Sequence, residues 1–158
     1  MPKLRVGFYS FTGDEGCMIV LLELLSERWQ EFSRKLEIVD WRLLKPEAEE
    51  PKLDVAVVEG AISSNKEAGK LRKIRASCKR LVCVGSCAAV GAPSNQRNSF
   101  AEKEKQEIKP ILDRFFLFEK VRAPNEFVKV DDFVQGCPVM EEPFLTVLGK
   151  YFKEFGVE

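Results

Sequence analysis

Short apolar runs alternate with longer amphipathic ones along this chain, and that alternation admits few folds. Leu4 to Tyr9, Leu36 to Trp41, Val55 to Glu59 and Arg80 to Val84 read as strands. Between the first two, Cys17 to Phe32 repeats Met18, Leu21, Leu22, Leu25, Trp29 and Phe32 at helical spacing, and Lys66 to Ser77 reads as a charged helix. Phe100 to Phe118 has helical periodicity, with Pro110 expected to kink or divide it. Phe127 to Val134 is β-like. A last helix is expected from Met140 to Phe155, with Phe144, Leu145, Leu148, Tyr151, Phe152 and Phe155 on its apolar stripe and Pro143 early, where a missing N–H costs little. The Glu/Pro-rich stretch Lys45 to Lys52 reads as a loop. Strand–helix alternation with apolar strands predicts an α/β fold, a mostly parallel sheet covered on both faces. Ligands of such a sheet belong beyond the carboxyl ends of the strands, near the point where strand order reverses.

The 158 residues suit one domain, expected to span 1–158, and 45% hydrophobic against 32% charged residues allows a packed core. Lys+Arg and Asp+Glu both total 25, so the basic excess of a nucleic-acid-binding face is missing. No apolar run reaches the roughly 18 residues of a membrane span, and the start, MPKLRVGFYSF, is too short and strand-like for a signal peptide. A cytoplasmic protein is expected.

The sequence has no histidine. Ser-His-Asp triads, Cys-His nucleophile pairs and imidazole zinc sites are excluded. Any metal must be held by thiolate or carboxylate, and soft thiolate ligation points first to iron–sulfur clusters or zinc. Five cysteines, an odd number, argue against a closed disulfide framework.

Three of the five fall just after expected strands. Cys17 ends SFTGDEGC, Cys87 lies in VGSCAAVGA, and Cys137 lies in QGCPV. Glycine in each loop lets backbone approach a bulky ligand, and strand–helix junctions present N–H groups to anionic sulfur. Three thiols converging at one sheet edge make a cluster-sized site. A cubane cluster takes four ligands, and Asp14, three residues before Cys17, is the best substitute for the missing cysteine. Asp14 is equally suited to capping the following helix. Cys78, near a helix end, and Cys83, within a strand, read as small core residues.

The segments FTGDEGC, VEGAI, VGSCAAVGA and GCPVMEEPF, in this order, resemble the small subunit of NiFe hydrogenases. The likeness is greatest to the delta subunits of cytoplasmic archaeal sulfhydrogenases, and the 20 kDa subunit of respiratory complex I shares the unit. It covers nearly the whole chain and implies a flavodoxin-like three-layer domain. It also implies that Cys17, Cys87 and Cys137 ligate one proximal 4Fe–4S cluster, with Asp14 where the family has cysteine. Glu59 is implied to lie near that cluster at the large-subunit interface, although a loop-closing role serves it equally well. Gly13, Gly16 and Gly60 are expected to permit tight loops around the cluster.

The chain ends soon after Cys137, where many family members continue into a cysteine-rich region, so one cluster is expected. The paired Cys-x-x-Cys motifs of a NiFe-binding subunit are absent from this sequence. The implied partners are therefore a hydrogenase large subunit carrying the NiFe centre and a diaphorase or ferredoxin-type subunit. Three other readings compete. In a complex-I-type role the large partner would lack nickel ligands. A scaffold subunit would have lost its cluster. A flavodoxin-like FMN carrier would use YSFTGDEG to hold a phosphate, but Asp14 and Glu15 would repel that phosphate.

Overall fold

A computed structural model describes residues 2–44 and 51–157. Strand β1 (Leu4–Ser10) leads into helices α1 (Gly16–Glu27) and α2 (Trp29–Lys35), then strands β2 (Leu36–Trp41) and β3 (Leu53–Glu59). The short strand β4 (Ile62–Ser64) precedes α3 (Asn65–Ser77), β5 (Cys78–Val84) and the short helix α4 (Gly85–Val90). Helix α5 (Glu102–Arg114), β6 (Leu117–Arg122), β7 (Asp132–Val134) and α6 (Glu141–Glu154) complete the described elements, with 3-10 turns at Gln96–Ser99 and Pro124–Glu126.

Five strands form one sheet in the order β2-β1-β3-β5-β7, and every pairing is parallel. Counting only these strands along the chain, the order is 2-1-3-4-5, the flavodoxin-like arrangement, whose order reverses between β1 and β3. Both faces are covered, as the apolar strands demand. On one face Val6, Phe8, Val57 and Val84 pack against Met18 and Leu21 of α1, Phe32 of α2, and Phe144, Leu148 and Tyr151 of α6. On the other, Ala56, Val58, Leu81 and Cys83 pack against Ala68, Leu71 and Ile74 of α3 and Ala88 of α4. Strands β4 and β6 form a separate antiparallel pair.

Four expectations need correcting. The helix expected over Cys17 to Phe32 breaks at Arg28 (φ −106°, ψ 26°), which separates α1 from α2. Trp29 thereby leaves the apolar stripe and stands 55% exposed, while Phe32 is buried. The stretch Phe100 to Phe118 is not one helix. Helix α5 runs through Pro110 and ends near Phe116, whose positive φ of 55° turns the chain into β6. The missing Pro110 N–H costs one bond on a helix that buries only Leu112. Of Phe127 to Val134, only 132–134 is strand; Phe127, Val128 and Val130 pack as irregular chain against the second core. Strands β4 and β6 carry no alternation long enough to predict. Most of the loop expected over Lys45 to Lys52 lies outside the described residues.

Candidate metal centre

The strands end where the chemistry-bearing residues begin. Loops after β1, β3, β5 and β7 enclose a cavity of about 250 Å3, lined by Gly13, Asp14, Gly16, Cys17, Glu59, Gly60, Cys87 and Cys137 among others. All eight site residues expected from sequence thus meet at one place, at the strand-order reversal. Gly16 and Cys17 open α1, and Cys87 lies in the first turn of α4, so both thiols sit at helix N-termini. Cys17 and Cys87 are half-buried, and Cys137 is exposed.

The loops are cross-tied. Thr12 and Ala61 exchange backbone hydrogen bonds of 2.9 and 2.8 Å, joining the loop after β1 to that after β3. The Ser86 N–H donates to the Gly136 carbonyl at 2.7 Å, joining the Cys87 loop to the Cys137 loop. Behind them, the Glu67 carboxylate accepts from the Thr12 hydroxyl and from the Ser63 N–H, at 3.0 and 2.7 Å. Side-chain positions in the cavity are therefore inherited from the rigid sheet.

Glu59 ends β3 and is only 3% exposed. The Ser10 hydroxyl donates to its Oε1 at 2.9 Å and the Met18 N–H to its Oε2 at 3.2 Å. Burial pushes its carboxyl above the usual range, and those two donors pull it partly back. Cys17 is pushed up to about 11, mainly by burial. A backbone bond from Val139 opposes this, and the Glu59 carboxylate and Cys87 reinforce it. Burial outweighs the helix N-terminus, which on its own favours a thiolate. A cation in the cavity would reverse that balance, because a coordinated thiol gives up its proton.

Asp14 is exposed, and its Oδ1 accepts the Gly16 N–H at 2.9 Å. It therefore does satisfy a first-turn N–H of α1. Three glycines are needed for shape, the first being Gly60, whose φ of +86° and close approach leave a Cβ striking the Phe11 backbone. Gly85 has φ +80°, and a Cβ there would overlap the Cys17 sulfur. Gly136 has φ +126°, and its Cβ would strike the Pro138 carbonyl.

Cys78 and Cys83 belong to the opposite core, and burial pushes the Cys83 thiol up to about 12. Two residues at the site escaped sequence reasoning. Gly85 had a signal, being the glycine directly after a buried strand. Ser94 had none, because only the turn after α4 returns it to Cys87.

Among the described residues, no three Cys, Asp or Glu side chains are grouped tightly enough for a single metal ion. Three thiols and a carboxylate line the cavity of about 250 Å3, and soft thiolate donors are the kind an iron–sulfur group takes. Exposed Ile19, Val90 and Met140 follow Cys17, Cys87 and Cys137 by two or three residues.

The curated relatives are hydrogenase subunits. A vhu subunit of the F420-non-reducing hydrogenase of Methanocaldococcus jannaschii is 31% identical over 85% of this chain and 51% of its own length. The delta subunit of sulfhydrogenase 2 of Pyrococcus furiosus is 25% identical over 92% of this chain and 60% of its own. The delta subunit of the NAD-reducing hydrogenase HoxS of Cupriavidus necator is 26% identical, over 92% and 77%. The chain thus spans little more than half the length of the first two. A chain from the crystal structure of an NAD+-reducing NiFe hydrogenase in its H2-reduced state shares the fold, with a TM-score of 0.83, 23% identity, and coverage of 99% of this chain and 94% of that one. Residues 14–151 match the family model for the 20 Kd subunit of NADH ubiquinone oxidoreductase, and to that family this chain belongs.

Proposed function

We propose that this chain is the electron-transfer small subunit of a cytoplasmic NiFe-hydrogenase-type complex. It holds one 4Fe–4S cluster through Cys17, Cys87 and Cys137, with Asp14 as the fourth ligand. The observation that carries this reading is the meeting of all four side chains in one cavity at the strand-order reversal. Such a cluster, when bound, takes up and gives back single electrons.

The chain's own contribution is positioning. Three thiols stand on cross-tied loops that follow β1, β5 and β7. Gly85 lets the Cys17 sulfur lie against backbone, and Gly136 lets the Cys137 loop turn back on Pro138. Glu59, fixed by Ser10 and Met18, closes the inner wall beside Cys17 and excludes water from it. Gly60 lets its loop close on the Phe11 and Thr12 backbone, Gly13 packs against Gly60, and Gly16 packs against the Asp14 side chain, so the three keep the loops around the cavity tight. The exposed apolar side chains of Ile19, Val90 and Met140 support coverage of this end of the sheet by a large partner subunit carrying the NiFe centre. Electrons pass onward to a diaphorase or ferredoxin-type subunit. A complex-I-type role, favoured by the matching family model, would use the same site with a partner lacking nickel.

Anaerobic co-purification with its partners tests this reading. About four irons and four acid-labile sulfides per chain are expected beyond those its partner subunits carry, together with an EPR signal in one oxidation state. A yellow flavin spectrum without iron would favour the FMN carrier instead.

A further inference from the structure

The Ser94 hydroxyl stands 3.1 Å from the Cys87 sulfur and 3.2 Å from the Thr12 carbonyl oxygen. It has one proton for two acceptors. The Thr12 carbonyl already accepts the Ala61 N–H at 2.8 Å, so directing the proton to sulfur leaves no acceptor unsatisfied. A thiolate is also the stronger acceptor of the two, because bonds to ionised groups are about twice as strong as neutral ones.

The placement is built into the local fold. Helix α4 ends at Gly91 with φ +81°, its N–H closing on the Cys87 carbonyl at 2.9 Å, and the chain turns back over the helix. The returning segment is clamped to β6. The Asn98 side chain donates to the Val121 carbonyl and accepts the Val121 N–H, at 2.7 and 2.8 Å, while Arg97 donates to the Phe118 carbonyl at 2.7 Å. Ser94 is thus held against Cys87 by a frame outside the cavity.

We infer that Ser94 is a positioning residue that sets the reduction potential of the group Cys87 holds, by donating its hydroxyl proton to the Cys87 sulfur. This rests on the cluster reading above. Reduction adds negative charge to the cluster and its sulfur ligands. A donor aimed at sulfur therefore stabilises the reduced state more than the oxidised one and raises the potential. No proton is transferred.

The test is an EPR-monitored redox titration of the anaerobically purified complex carrying wild-type, Ser94→Ala or Ser94→Thr chain, with iron and sulfide counted in each. Ser94→Ala is expected to shift the oxidised-to-reduced ratio about tenfold toward oxidised at a given potential, equivalent to about 59 mV for one electron. Ser94→Thr, which keeps the hydroxyl, should titrate as wild type. Iron-loaded Ser94→Ala with the wild-type potential would overturn the inference and leave the cluster reading standing. Wild-type complex lacking iron would overturn both. If Ser94→Ala fails to assemble, Ser94→Val is compared with Ser94→Thr, which has its shape but keeps the oxygen. A lower potential in the Val variant supports the inference, and equal potentials overturn it.

Discussion

Gly85 packs directly on Cys17: a Cβ built on its backbone would overlap the Cys17 sulfur. Its φ of +80° is one that other L-residues adopt only with strain. Gly85→Ala therefore meets two penalties at once, in the backbone and against sulfur. The variant is expected to lose about 1–3 kcal/mol of stability in urea unfolding of the metal-free chain, and most of its iron. Gly149→Ala is the control. It lies within α6 with nothing within 4 Å of the added methyl, and should be neutral or gain up to about 1 kcal/mol.

The loop bond Asp14 makes and the ligation proposed for it are separable. The Asp14 Oδ1 accepts the Gly16 N–H, which an asparagine does equally well, whereas the negative charge a metal ligand needs is lost in asparagine. Asp14→Asn should unfold within about 0.5 kcal/mol of wild type yet hold less iron per chain. Asp14→Cys should keep the iron and shift the cluster's midpoint in a redox titration. An Asp14→Cys midpoint equal to wild type would reduce Asp14 to a loop-capping residue.

The sheet and the place of the site were legible because both follow from patterns with short range. Val55 to Glu59 and Arg80 to Val84 are apolar enough to be central strands, and the expected ligands lie in the loops that follow such strands. Where the signal depended on distant packing, it failed. Nothing in the sequence at Arg28 distinguishes a break between α1 and α2 from a continuing helix; the break turns Trp29 outward and brings Phe32 into the core. Likewise, among the described residues β6 pairs only with the three-residue β4, so neither strand needed the apolar alternation that announces a central one. Ser94 could not be found because its partner, Cys87, is reached through the Gly91 turn and the Asn98 clamp on β6.

Cys83 should make the chain sensitive to alkali. Its thiol is pushed up to about 12 by burial, against an ordinary value of 9.0. Below the ordinary value it is protonated folded or unfolded, and contributes no pH dependence. Above it, the unfolded chain ionises and the folded chain does not, so stability falls as pH rises toward 12. Between pH 8 and 10.5 this group should account for about 2 kcal/mol of lost stability. The loss is read as the difference between wild type and Cys83→Ala in urea unfolding of the metal-free chain at the two pH values. Equal losses in both proteins would mean that the thiol ionises in place.

Cys87 and Cys78 pose the sharpest contrast between a thiol that lines the cavity and one that packs in a core. Cys87 lines the cavity and accepts the Ser94 hydroxyl, whereas Cys78 begins β5 beside Arg75 in the opposite core. In the assembled complex, Cys87→Ser should abolish hydrogen-dependent dye reduction while leaving the partner subunit's nickel content unchanged. The electron route from the partner would be cut with the hydrogen-activating metal intact. Cys78→Ser puts a hydroxyl in a site that already offers the Arg75 carbonyl as acceptor, so it should cost about 1 kcal/mol of stability or less and retain the dye-reduction rate. Full dye reduction by Cys87→Ser would remove Cys87 from the electron path, and a matching loss in Cys78→Ser would trace the defect to folding rather than to ligation.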